Sequence, residues 1–377
     1  MLLWIALAVF IMSLFLCANL LHIVTRRHKW IIPYIRKSDR KLTDTDYPVN
    51  IYFSICDHFQ PFWGFVSQEI AEHRVVTWQK EFTHHARKHS DCRGHHPVHT
   101  FFYSEEDYNP HFTDELSKLV REKIADVELL ISYPNNIRPD FKRRIEEFRD
   151  VLFHHHGLLR KNSSGKIIYG FVHGYSALNK SQNDGEFTGT TNGIPVLKET
   201  GCYADYTYPS PGDVTQPPFI NSIYFFCDQP GTSRPHESGY PASKNVWSEN
   251  ELLFIQGPLT LNWNRRVWGI FPRIENGSIN HLNRFSADRA DLWVNKGVRI
   301  NGLKNHIFIK LFTHGAQDHT IRYFFGENGL DQLWSFMEKN YNNDQYKLYY
   351  VSAFDMYRII KNLCTGAAVI SNSERSV

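Results

Sequence analysis

Residues 51–61, IYFSICDHFQP, constrain the fold more than any other stretch. A short apolar run delivers a carboxylate and an imidazole, Asp57 and His58, at its end. Such a run reads as a buried strand whose C-terminal end carries chemistry. The pattern recurs. HIFIKLFTHG places His314 after the apolar run 307–312, IIYGFVHG ends in His173, and GCYADYTYP presents Asp205 in a similar setting. Strands that each finish in an acid or an imidazole predict one site, assembled at one end of an α/β barrel.

The rest of the body supports that architecture. Short apolar runs at 50–56, 98–103, 126–131, 167–173, 220–226, 252–256, 306–312 and 347–351 read as strands. Between and after them, 68–89, 113–124, 139–155 and 352–363 carry apolar residues at helical spacing. Alternation without a change of composition predicts a single β/α domain over 47–365. Residues 174–250 are rich in Gly, Pro, Asn and Ser and read as long loops that shape a cleft. The small, polar stretch 366–377 reads as a disordered tail.

Residues 1–24 are apolar, broken only by Ser13, Asn19 and His22, and no basic residue precedes Arg26. That length spans a bilayer, and the missing basic n-region argues against a cleaved leader. The expectation is a single-pass transmembrane helix over 1–25, followed by a basic juxtamembrane linker over 26–46. Arg26, Arg27, Lys29, Arg36, Lys37, Arg40 and Lys41 all follow the span, so the positive-inside rule turns the main domain toward the cytoplasm.

Composition excludes several classes. A net charge of +3 without a basic stripe argues against nucleic acid. With no GxGxxG after a strand and no phosphate loop, a nucleotide cofactor is not expected. The six cysteines show no CxxC and no close pairing, which excludes a zinc ribbon or a disulfide framework. The histidine runs at 84–89, 95–96 and 154–156 fall near helix ends, where surface capping accounts for them.

Taken as an ordered series, DHFQP (57–61), HTFFYSEEDY (99–108), YGFVHGYSAL (169–178), LKETGCYADYTYPS (197–210), QGPLTLNW (256–263) and KLFTHG (310–315) resemble the polysaccharide-deacetylase (NodB-homology) superfamily. The resemblance covers nearly the whole body. It implies a distorted (β/α) barrel that hydrolyses an acetyl group from a sugar. It also implies a divalent metal, usually zinc, held by one Asp and two His, with a second Asp as base and a late His as acid. Carried over by position, Asp57, His314 and Asp205 are the expected catalytic residues. His173, Tyr175 and Tyr103 are the expected substrate-binding residues, and Asp57, His58 and His173 the expected metal ligands.

One departure matters. Where the family's third strand ends in a His-rich ligand motif, this chain reads DVELLISYPNN, with Leu130, Ser132 and Tyr133 at the ligand positions. Leucine has no lone pair to offer, and Ser or Tyr would have to ionise. Two readings lead, ahead of a more distant third. One is a membrane-anchored deacetylase acting on a polymer- or lipid-linked amino sugar, with a rebuilt metal site. The other is an inactive pseudoenzyme serving as a carbohydrate-binding or assembly module. A metal-free glycan hydrolase using carboxylates is a third.

Overall fold

A computed structural model describes residues 12–13, 30–36, 47–132, 141–174, 193–213, 215–226 and 238–367. Its centre is β1 (Val49–Phe59), eleven residues of which nine are buried. Burial on both faces suits a parallel strand rich in Ile, Phe and Tyr. β1 pairs in parallel with β12 (His306–Thr313) along one side. Its other side is shared: β13 (Tyr346–Tyr350) takes the first half and β2 (His99–Ser104) the second.

The sheet continues through β3 (Ala125–Ile131), β5 (Ile167–His173), β6 (Cys202–Asp205) and β9 (Leu253–Ile255), all parallel. It ends in β7 (Ile223–Phe226) and β8 (Gly239–Pro241), which run antiparallel. A two-residue β4 (Arg160–Lys161) adds to β5. β10 (Thr260–Val267) and β11 (Phe271–Glu275) leave the main sheet as a separate hairpin.

Period-two alternation divides the side chains between two cores. Ile51, Phe53, Ile55 and Phe59 join one cluster with the helices α2 (Gln68–Ala86), α3 (Pro110–Arg121), α4 (Phe141–His156) and α5 (Gly193–Thr200). α6 (Ala287–Asn295) and α8 (Gly329–Tyr341) pack there too, and a short α7 (Asp318–Ile321) precedes α8. Tyr52 and Cys56 join the other cluster, with Phe102, Leu130, Val172, Tyr206 and the helix α9 (Ala353–Thr365). α1 (Ile31–Arg36) lies apart, where Trp30 is buried against Ile220 and Leu259.

Two fold expectations are corrected. Among the described residues the ladder does not close into a (β/α) barrel: its path is an open, mostly parallel sheet with β12 at one end and β8 at the other. A barrel needs a continuous ladder between those edges. Instead, residues 298–301 touch Ser222, Ser243 and Phe308 through isolated bridges. The sheet is nonetheless strongly curled. Lys310 on β12 reaches the carbonyls of Tyr206 and Tyr208 beyond β6, although β1, β2, β3 and β5 lie between them in the sheet order.

The N-terminal transmembrane helix is not supported either: among the described residues no helix is long and apolar enough to cross a membrane. Of the expected span only Met12 and Ser13 are described, and the rest of it lies outside the described residues, as does 368–377 of the expected tail.

Several boundaries also moved. α3 begins before the expected 113: Asn109 caps it, accepting from the His111 N–H at 3.0 Å, with Pro110 at the first helical position. Within the expected loop region 174–250 the chain forms α5, β6, β7 and β8.

Trp78 joins the convex core to the strand ends. It is fully buried, contacts Phe101, Phe325 and His99, and donates from Nε1 to the Gly315 carbonyl at 2.9 Å. Trp78→Ala is expected to lower stability by about 3–5 kcal/mol, read as a reduced urea midpoint with little change in slope.

Candidate functional site at the strand ends

The C-terminal ends of β1, β2, β6, β9 and β12 lie along one rim of the curled sheet, the position at which α/β sheets bind ligands. Asp57 and His58 stand there on opposite faces, as consecutive strand residues must. Asp57 points into the convex side and is completely buried. Its Oδ2 accepts from His99 Nε2 at 3.0 Å, and its Oδ1 accepts from the Gly315 N–H at 2.7 Å. Both carboxylate oxygens are therefore engaged. Gly315 is required by the approach: a β-carbon there would stand 2.0 Å from Asp57 Oδ2 and 2.5 Å from the Trp78 ring.

His58 faces the other way. Its ring stacks on Phe312 at 5.6 Å and meets the His314 ring edge-on at 5.1 Å. Burial, with the nearby His314 and Lys310, holds the His58 imidazole well below its ordinary pKa. Burial also lowers His314, against the opposing pull of Asp57. Both rings are thus neutral near pH 7. His58 Nε2 is buried with no hydrogen-bond partner among the described residues.

The same holds for Ser104 Oγ, Asp205 Oδ2, Gln256 Oε1 and Thr313 Oγ1. Buried polar atoms are normally satisfied, so a set of orphans along one rim calls for a ligand or ordered water. Beside the imidazole pair the β1–α2 loop carries two aromatic rings. Trp63 lies 6.0 Å from His314 and is half exposed, and Phe65 is fully exposed in a left-handed conformation with φ 56°.

Asp205 and Lys310 form a second polar element. Asp205 Oδ1 accepts from the Thr207 N–H at 2.8 Å, and burial pushes the carboxyl up to about 6. Lys310 donates to the Tyr206 carbonyl and, at 2.6 Å, to that of Tyr208. Burial draws its ammonium down to about 8, although Cys56 and Asp205 pull the other way.

Of the expected site residues, the structure brings together His58 and His314, with Asp57 one residue behind on the opposite face. It places Asp205 beside Lys310. His173 is buried and tied locally: Nδ1 meets the Gly174 carbonyl at 2.6 Å, and its N–H donates to Thr207 Oγ1 at 2.9 Å. Burial takes its imidazole down to about 4. Tyr103 packs among Phe59 and Phe148 and donates to the Asp107 carbonyl at 2.8 Å, a structural role. Tyr175 and Tyr133 lie outside the described residues.

The donor set does not fit the family's metal. Asp57 and His58 diverge, and His173 Nδ1 is already engaged. Leu130 is core, sharing a cluster with Phe102 and Val172, while Ser132 packs against Gly174. Among the described residues no group of three or more His, Cys, Asp or Glu is arranged to hold a metal ion.

His99, Lys310 and Trp63 were missed by sequence reasoning. A lone lysine inside HIFIKLF was the available signal for Lys310, because an interior strand carries a charge only where something satisfies it. The histidine runs need a correction too. His85 and His89 are buried rather than surface caps. His85 Nδ1 pairs with Asp331 at 2.6 Å, and His89 bridges Asp331 at 3.0 Å and Glu338 at 3.1 Å.

No family model matches the chain, and no curated protein matches it.

Asp57→Asn keeps one acceptor oxygen and exchanges the other for a donor facing a donor, so a loss of about 1–3 kcal/mol in urea unfolding is expected. A second expectation concerns pH. His173 has a folded pKa of about 4 against about 6.5 unfolded, so between those values the unfolded chain binds the extra proton. Its contribution, about 3 kcal/mol, is complete above the unfolded pKa and is lost as pH falls toward 4. Asp205 acts oppositely: raised from 3.8 to about 6, it stabilises below 3.8 and loses that contribution as pH rises through 6. Over pH 4–6 the two offset each other. Asp205→Asn is therefore expected to steepen the acid-side fall of the urea midpoint, and His173→Gln to flatten it.

Proposed function

We propose that this chain is a polysaccharide-deacetylase-like protein that binds a glycan at the strand-end rim without the family's metal catalysis. The observation that carries this reading is the full engagement of Asp57 by His99 and Gly315, together with Leu130 and Ser132 at ligand positions. A carboxylate whose two oxygens are taken by a strand histidine and a backbone N–H is placed to fasten β2 to the turn after β12. Trp63 and Phe65 supply the kind of flat apolar surface on which a sugar ring stacks. Beside Trp63, the unpartnered Nε2 of His58 next to His314 supplies a polar contact for a hydroxyl or acetamido group.

A second reading, hydrolysis of the acetyl group, is favoured by one feature. His58 is a neutral imidazole with an unpartnered Nε2, and His314 lies edge-on beside it. In that reading His58 draws a proton from water as the water attacks the acetyl carbonyl, and the imidazolium so formed, with His314 beside it, returns that proton to the departing amine as the C–N bond breaks.

Calorimetric titration with N-acetylglucosamine oligosaccharides, run beside an acetate-release assay with and without added zinc, tests both. Binding that weakens about tenfold in Trp63→Ala, with no acetate released, is the expected result. Acetate release abolished in His58→Ala and His314→Ala would replace this reading with the hydrolytic one. Absence of binding to acetylated and deacetylated oligosaccharides alike would remove the glycan reading.

A further inference from the structure

The β10–β11 hairpin stands outside the main sheet, and the strand-end site does not use it. Its turn, Val267–Trp268–Gly269–Ile270, has φ of 51° at Trp268 and 70° at Gly269, with the Ile270 N–H bonded to the Val267 carbonyl at 3.2 Å. These are the positive dihedrals of a type I′ turn, in which Asn-Gly is the favoured pair. Trp268 holds the first position against the steric preference of its own β-carbon, and it is 86% exposed. Ile270, Trp263, Phe271 and Val267 are exposed around it.

A bulge skips residues 263–265 between the pairs Asn262–Arg273 and Arg266–Pro272, which leaves Trp263 outside the ladder. Arg265, Arg266 and Arg273 intersperse the apolar residues, and no carboxylate occurs from 260 to 274; Arg265 Nε lies 3.5 Å from Asp288 of α6, while Arg266 and Arg273 face no carboxylate among the described ion pairs. Exposed indoles, aliphatic groups and guanidiniums on one projecting ribbon match a single environment. The indoles suit the headgroup level, the aliphatic tip suits the upper acyl chains, and arginine pairs with lipid phosphate.

The chain's own N-terminal side converges on this element. Tyr34 of α1 bonds Thr260 Oγ1 at 3.0 Å at the hairpin's root and packs in the cluster of Trp30 and Leu259. α1 itself leaves Ile32 and Ile35 exposed. The sequence leading into it is apolar over 1–24 and then carries Arg26, Arg27 and Lys29.

We infer that the β10–β11 tip is a docking element for the interface of a bilayer containing anionic lipid. This inference is independent of what occupies the strand-end rim.

The test uses the full chain reconstituted with vesicles of phosphatidylcholine and phosphatidylglycerol whose acyl chains carry bromine near the headgroup. The variant Trp268→Asn creates the turn pair that type I′ geometry favours, so folding is retained or improved while the inserted indole is removed. Brominated lipid is expected to quench a component of tryptophan emission that is missing from Trp268→Asn and is shielded from aqueous iodide. Arg266→Gln and Arg273→Gln, or vesicles of phosphatidylcholine alone, are expected to reduce occupancy of that quenched state by roughly fivefold for each guanidinium–phosphate pair removed. Equal bromine quenching in wild type and Trp268→Asn, with Trp268 open to iodide, would overturn the inference. Shielding from iodide without bromine quenching, accompanied by a dimer mass, would overturn it in favour of a second copy of the chain.

Discussion

The structure depends on how β1 is paired. One eleven-residue strand contacts β12 along one edge and divides the other between β13 and β2, so strands from both ends of the chain meet on it. Because it is buried on both faces, each residue has a fixed assignment. Odd positions from Ile51 to Phe59 face the helices, and Tyr52, Cys56 and His58 face the curled interior. A slip by one residue would exchange the two sets and place Asp57 where His58 stands. The register of β1 therefore decides which side of the sheet each site residue serves.

That register separates two kinds of polar chemistry. On the convex side, Asp57 is a fastening group: it holds the start of β2 through His99 and the turn after β12 through Gly315, with Trp78 bonded to the same glycine's carbonyl. Both of its oxygens are used. On the concave side the opposite holds, since the neutral His58–His314 pair leaves His58 Nε2 buried with no partner among the described residues. Fully satisfied polar groups hold structure in place, and unsatisfied ones await a partner. The contrast is why the glycan reading gives Asp57 a fastening role and assigns the sugar contacts to the side of His58, His314 and Trp63.

Much of the scaffold was legible. The strands at 167–173 and 306–312, and the helices beginning at 68 and 352, stand within a residue or so of where periodicity puts them, because each buries one continuous apolar set. The open sheet was not legible, because closure depends on what lies between β8 and β12. There, residues 298–301 make single bridges instead of a ladder. The site was half legible: strand ends marked His58 and His314. Alternation alone separates Asp57 from His58, but only the fold shows His99 arriving from 42 residues away to occupy the carboxylate. His85 and His89 misled for a related reason. Their partners Asp331 and Glu338 sit on α8, remote in sequence, and turn apparent caps into buried, hydrogen-bonded imidazoles.

By itself, the sequence determined the local elements and the side of each strand that a residue occupies, because hydrophobic period and backbone geometry act within a few residues. It also determined that no imidazole stands at 130 or 132. Tertiary structure alone decided which polar groups were consumed and which were left open, since that depends on partners brought from distant strands. It decided, too, that the run 260–274 would project as a cationic, aromatic ribbon instead of becoming one more strand of the sheet. A hydrogen bond has a short range and a direction, and neither can be read until the chain has brought its ends together.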